Sequence, residues 1–350
     1  MTSDAIRKRK ARKNLTHKLS PAELVTQDIS NTRATKEYSV TKKKYKLLIA
    51  ENEELQALVD VVKQTADIST YTLSKKDIGR GQATAICLAS DWHSEEHVDP
   101  ETVNGLNEFN LDVSDARIDA FFQNVVRLLE AKKKSIAIET LVLYLLGDFI
   151  SGSIHDELAE SNLLPPADAL IRVQNKIASG IEYILAHTDV TIIAPCHSGN
   201  HARMTKEHRF STEKGNSLEY IMYHNLANYF RGEKRVKFLI SGGYLAYLDI
   251  AGFTIRSHHG HQCKFSGGVG GLYIPAFKKI AQFNKGRWAD LDVFAHFHQL
   301  VHAGSFVCNG SIIGPSAYSL GFGFERPKQA FFLVNHERKE VTDFCPVWVD

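Results

Sequence analysis

The chain is poor in features that would carry it across or into a membrane. Its five cysteines, Cys87, Cys196, Cys263, Cys308 and Cys345, are odd in number, far apart and without a Cys-x-x-Cys pair. That argues against a disulfide framework and a thiolate zinc site, and points to buried, reduced thiols. No apolar run reaches the roughly 18 residues needed to span a bilayer. No N-terminal stretch joins a short basic region to an apolar run and a small-residue cleavage site. A soluble, cytoplasmic protein without a membrane partner is therefore expected. What is present is enough for a large core: 350 residues, 43% hydrophobic, fit one large domain with an appendage or two ordinary domains.

Acidic residues are scarce at the start. Residues 1 to 50 hold 13 Lys and Arg against 4 Asp and Glu, whereas the other 300 hold 29 against 36, so a +9 segment precedes a −7 remainder. The first residues also lack apolar positions for a core, and residues 1–37 read as a basic, mobile tail with a short helix start at Ser20-Pro21. Residues 38–65 are rich in helix formers. Tyr45, Leu48, Asn52, Leu55, Val59 and Val62 alternate spacings of three and four, as on an amphipathic helix that docks or pairs with a second copy. Residues 66–82 read as a linker, and residues 83–350 as the main domain.

In that domain short apolar runs alternate with helical segments. "ATAICLAS" (83–90), "TLVLYLL" (140–146) and "VTIIAP" (190–195) are separated by helices near 115–133 and 167–187, a βαβαβ pattern of parallel strands. After a helix near 216–230, further strands, a helix near 273–284 and the runs "DVFAH", "GSFVCNGS", "QAFFLVNH" and "EVTDFCPVWV" read as a second, more antiparallel set. Two facing sheets flanked by helices is the simplest assembly.

Polar groups gather where these strands end. The first strand runs into Asp91-Trp92-His93, the second into Gly147-Asp148, the third into Gly199-Asn200-His201; later come His258, His259 and His261, then His296 and His298. Open α/β sheets bind ligands at such ends, and the i, i+2 spacing of Asp91 with His93 and of His296 with His298 lets each pair face one target. Oxygen and imidazole donors without sulfur suit Mn²⁺, Fe or Zn²⁺, and there are more of them than one tetrahedral ion can use. Two ions are indicated; a carboxylate such as Asp148 can bridge them, and such a pair can hold a hydroxide and stabilise in-line displacement at phosphorus.

In the order Asp-x-His, Gly-Asp, Gly-Asn-His, His, then small-His-x-His, the chain resembles the calcineurin-like metallophosphoesterases over about residues 85–340. The contexts "DPETVNGLNEFN", "SGSIHDELAES", "GGVGGLYIP" and "DLDVFAHFHQ" look like phage- and prophage-encoded members, which would place the protein in a host cytoplasm. It departs from the pattern at Ala295, where Gly is usual, and at Ala202-Arg203, where an acid commonly follows. The resemblance implies an α/β fold, a four-layer α/β/β/α sandwich, and two divalent metal ions, Mn²⁺ first and Fe, Zn or Ni as alternatives. It implies metal ligands Asp91, His93 and His298 at one site and Asn200, His259 and His296 at the other, with Asp148 bridging and His258 as the competitor of His259. His201 would be catalytic, protonating the leaving oxygen.

Arg203, His155 and His261 are candidate substrate contacts, and His97 and His208 weaker ones; "SGGVGGLYIP" could present amides to a phosphate. Trp92 reads equally as packing or stacking. The expected activity is a phosphodiesterase or nuclease on DNA or RNA, because a basic tail recruits polyanions. A phosphomonoesterase acting on a phosphoprotein or nucleotide, and a non-catalytic nucleic-acid-binding or assembly protein with a structural metal, are the alternatives.

Overall fold

The structure is a computed structural model that describes residues 20–22, 25–26, 36, 38–50, 52–53, 71–73, 81–207, 209, 214–264, 270–316, 319 and 323–350. The chain divides into two compact units, Met1–Val59 and Asp60–Asp350. In the first, residues 38–50 and 52–53 are helical, covering Tyr45, Leu48 and Asn52 of the heptad pattern; Leu55, Val59 and Val62 lie outside the described residues. Residues 21–22 and 25–26 are helical as well.

The second unit is built on two six-stranded sheets. The first sheet, in order β12-β11-β2-β3-β4-β5, holds β2 (Gln82–Ala89), β3 (Ala137–Leu145), β4 (Thr191–Cys196) and β5 (Val236–Ile240) in parallel. Antiparallel β11 (Lys328–Asn335) and β12 (Glu340–Trp348) extend it beyond β2. The second sheet, in order β1-β6-β7-β8-β10-β9, contains β1 (Tyr71–Leu73), β6 (Ala246–Ile250), β7 (Phe253–Ser257), β8 (Leu291–Phe294), β9 (Val301–His302) and β10 (Phe306–Cys308). The sequence pattern assigned "QAFFLVNH" and "EVTDFCPVWV" to this second set; the structure places them in the first. The reason is burial: Phe331 and Leu333 face one core while Ala330, Phe332 and Val334 face another, so β11 needs a layer on each side. The second sheet is mixed, with β7, β8 and β10 parallel and only β6–β7 and β9–β10 antiparallel. β1, inside the stretch read as linker, pairs with β6.

Three clusters define four layers. On one face of the first sheet, Ala85, Cys87, Leu141, Leu143 and Ile192 pack with buried residues of α1 (Leu111–Lys133), α3 (Pro166–His187) and α4 (Leu218–Tyr229). Between the sheets, Ile86, Leu88, Val142 and Ile193 meet Leu248, Ile255, Leu291 and Val293. On the outer face of the second sheet, Phe294, Phe306 and Cys308 pack against Ala276 and Ile280 of α5 (Tyr273–Gly286). A strand with alternate residues in two apolar layers must be apolar throughout, which explains the unbroken runs in the sequence. The expected α/β/β/α sandwich is the observed fold. A short helix α2 (Asp156–Ser161) between β3 and α3 was not foreseen. No described helix is long and apolar enough to cross a membrane, and the five cysteines are free, four of them buried.

Candidate metal centre

The strand ends of both sheets meet at one edge. β2 delivers Asp91 and His93, β3 delivers Asp148, and β4 delivers Asn200 and His201; β7 leads to His259 and β8 to His296 and His298. Asp91, His93, Asp148, His296 and His298 all have positive φ, between 46° and 76°, and are five of the nine non-glycine residues in that region among those described. Left-handed backbone costs a non-glycine residue about 1–3 kcal/mol and persists where the surroundings impose it. Its concentration on these five residues marks a built site rather than a row of turns.

Two glycines let the loops touch. Gly147 sits at φ 89°, and a Cβ there would overlap the amide of Gly199; a Cβ on Gly199 would overlap the Asp148 carboxylate. Asp148 accepts a hydrogen bond from the His201 amide at 2.8 Å, and its other oxygen lies 2.8 Å from His259 Nε2. Asn200 Oδ1 is 3.2 Å from the same nitrogen. On the other side His93 Nε2 and His298 Nε2 are 3.2 Å apart, and His298 Nε2 is 3.6 Å from Asp91 Oδ1. Donor atoms of three groups, Asp91/His93/His298, His93/Asp148/His201 and Asp148/His259/His296, each lie within 4.8 Å of one another.

Second-layer bonds aim these rings. His259 Nδ1 faces the Leu146 carbonyl at 2.6 Å, which only an N–H can satisfy, so Nε2 is left as a ligand atom. His93 Nδ1 meets Ser151 Oγ at 2.9 Å, and that hydroxyl donates to Glu96 at 2.8 Å. His201 Nδ1 faces the Ser151 carbonyl at 3.0 Å, leaving Nε2 toward the cavity. Asp91 accepts from Ser90 Oγ at 2.7 Å and from the His296 amide at 3.1 Å, so an acid from one sheet holds a loop of the other.

Burial and mutual charge shift the groups of the cluster in different directions. Burial pushes Asp91 up to about 7 and drives His296 and His298 down to about 3. Burial opposes ionisation of Asp148 too, yet His259 and the neighbouring imidazoles hold it well below the usual carboxylate range. Burial likewise disfavours the His259 imidazolium, and Asp148 outweighs it, raising that ring to about 10. Asp148 and His259 thus favour each other's charged forms across 2.8 Å. Imidazole nitrogens and carboxylate oxygens converging within 4.8 Å of one another, with hydrogen bonds from behind directing the Nε2 atoms inward, fit divalent cations.

His259 joins the cluster, whereas His258 turns away to stack on Phe294 (6° between planes) and meet the Tyr244 hydroxyl at 3.1 Å. His261 lies beside it, ring centroid 5.4 Å from that of His259. His155 packs against His201 at 5.8 Å and, with exposed His97, lines a cavity of about 680 Å³ that opens on His93, Asp148, Asn200, His201, His296 and His298. Arg203 does not line that cavity. Its guanidinium donates to the carbonyls of Asn200 (2.9 Å), Thr205 (3.1 Å) and Lys206 (3.5 Å), so it closes its own loop rather than waiting for a phosphate. Trp92 is buried against Phe149, Phe121 and Phe122 and is a packing residue. His208 and residues 266–269 of the glycine-rich stretch lie outside the described residues.

Sequence reasoning missed the acids behind the site. Glu219, in the first turn of α4, is fully buried and accepts from the amides of Phe149 (2.8 Å) and Gly199 (2.7 Å). Burial, with the charge of Asp148 adding, pushes it up to about 8. Glu95 accepts from the Gly152 amide at 2.8 Å. Helical spacing was a usable signal for Glu219, because it shares a face with Met222, Tyr223 and Leu226, all buried.

No protein-family model matches the sequence, and no curated protein matches it. Solved structures give distant likenesses. A hypothetical protein from Pyrococcus horikoshii OT3 is 13% identical, with 76% of this chain and 89% of that one covered and a TM-score of 0.38. A Staphylococcus aureus protein assigned as a 5'-nucleotidase, in complex with alpha-ketoglutarate, is 9% identical over 77% of this chain and 55% of its own, TM-score 0.32. The sulfate thiohydrolase SoxB of Thermus thermophilus, with glycerol, is 10% identical over 78% and 58%, TM-score 0.34. The chain thus spans little more than half the length of the last two. No family assignment follows from these likenesses.

Proposed function

We propose that the chain is a metal-dependent phosphoester hydrolase with two divalent cations that share Asp148. The observation that supports it is the pair of donor groups meeting at that carboxylate, Asp91/His93/His298 on one side and Asn200/His259/His296 on the other, in the motif order of the calcineurin-like metallophosphoesterases. When bound, the cations would supply Lewis acidity to a phosphate and to an attacking water. Mn²⁺ suits the oxygen-and-imidazole set first, with Fe, Zn or Ni as alternatives. The chain's own groups do the rest. Asp148 fixes the His201 amide, and Ser151 fixes the His201 ring. The Nε2 so directed would hold a proton for the leaving oxygen.

Two substrate readings have separate support. The +9 charge of residues 1–50 favours a nucleic-acid phosphodiester. The cavity favours a smaller phosphoester: its rim carries Glu96, Asp99 and Glu157, and no Lys or Arg is among the described lining residues. With Mn²⁺ present, hydrolysis of bis-p-nitrophenyl phosphate and of single- or double-stranded DNA in preference to p-nitrophenyl phosphate would support the first, and the reverse order the second. No hydrolysis of any of them with any of the four metals would overturn the assignment.

A further inference from the structure

The start of α4 is sewn to the loop that carries Asn200 and His201. Ser217 caps the helix, the Leu218 amide donates to the Ala202 carbonyl at 2.9 Å, and Arg203 bridges to Ser217. The residue after His201 is a buried alanine, whose side chain carries no polar atom. One turn position into the helix, the Glu219 carboxylate reaches between two loops, one oxygen accepting from Phe149 N and the other from Gly199 N. Those amides belong to the residue after Asp148 and the residue before Asn200.

We propose that Glu219 is a positioning residue that fixes the spacing between Asp148 and Asn200, two of the donors around the second cation. Helix docking alone does not call for it, because the Tyr223 hydroxyl already ties α4 to the His197 carbonyl at 2.8 Å. Burying a carboxylate opposes folding, and a neutral side chain of equal size would fill the space. What only the ionised carboxylate of this length does is accept from both amides at once, so the comparison is made above the pH of about 8 to which burial and the Asp148 charge push this group. Gln has a single acceptor oxygen and must turn its NH₂ toward one N–H; Asp keeps both oxygens but is one methylene short.

This inference rests on the two-cation reading, and two readouts on the full chain keep the two apart. The first is hydrogen exchange of the Phe149 and Gly199 amides, which requires no metal. The second is calorimetric titration with Mn²⁺ alone. Glu219→Gln and Glu219→Asp should each expose at least one of the two amides to faster exchange, and weaken one of the two Mn²⁺ binding events about 10–100-fold while sparing the other, the scale usual for a residue that orients ligands. Tyr223→Phe, which removes the neighbouring tie, should leave both events unchanged. Wild-type amide protection and wild-type affinities in Glu219→Gln would overturn the proposal, as would an equal loss in Tyr223→Phe, because the helix rather than the carboxylate would then be responsible. Wild-type chain that takes up no Mn²⁺ would remove the metal reading itself.

Discussion

The two sheets make unequal contributions to the centre. The first, through consecutive parallel strands, brings both carboxylates, the amide, His93 and His201; the second, through short strands of mixed direction, brings three imidazoles, His259, His296 and His298. Neither sheet alone supplies both of the donor groups proposed to meet at Asp148. The full set therefore assembles only where the sheets pack, at the edge of the apolar layer of Ile86, Leu88 and Val142 against Ile255, Leu291 and Val293. The Asp91 carboxylate, gripping the His296 amide from across that layer, pins the alignment at the edge. Acid placement is a property of one sheet, and site assembly a property of two.

That division can be broken from either side. Asp148→Asn removes the one group common to both halves; hydrolysis of bis-p-nitrophenyl phosphate should fall by about 10³-fold or more, since several kcal/mol of charge stabilisation is lost, and Mn²⁺ titration should lose at least one event. His201→Ala leaves every proposed ligand in place, so turnover should drop about 10²-fold or more, the scale of a missing proton donor, with Mn²⁺ uptake unchanged; a parallel loss of uptake would mean the ring is a ligand.

The imidazole sheet is tested from beneath. Arg256 on β7 pairs with Asp292 on β8 through two buried bonds of 2.7 and 2.8 Å, on the strands that lead to His259 and His296. Arg256→Leu strands the Asp292 charge and should lower unfolding stability in urea by about 3–5 kcal/mol, with activity of the folded fraction reduced less than in Asp148→Asn. The smallest effect belongs to the exposed rim. Glu157→Gln should change KM by no more than about threefold, downward for an oligonucleotide and unchanged for p-nitrophenyl phosphate; an upward change for the oligonucleotide would contradict a repulsive rim.

Much of this architecture is legible in the sequence. Runs buried on both faces announce parallel strands, so β2, β3 and β4 fall within a few residues of their expected bounds. Side chains at strand ends follow the strand, which is why the eight motif residues come together. Period alone does not say which sheet a strand joins, and β11 and β12 went to the other one for that reason. It also did not separate His258 from His259, whose side chains leave the same strand end in different directions, one toward Phe294 and Tyr244, the other toward Asp148. Groups that act through a distant backbone amide leave little local signature. Asn309 and Gln329, which hold Ser90 behind Asp91 at 2.8 and 2.9 Å, are about 220 and 239 residues away along the chain.

The bond from the His201 amide to Asp148 has a consequence for the choice of ion. The carboxylate proposed to sit between the cations also anchors the backbone of the proposed proton donor. A cation of larger radius would press on that carboxylate, and the His201 amide bonded to it would carry the shift toward the imidazole. Ion size would thus be geared to the distance between acid and leaving oxygen. Substrates that need their leaving group protonated should then be the most selective among metals, and those with activated leaving groups the least.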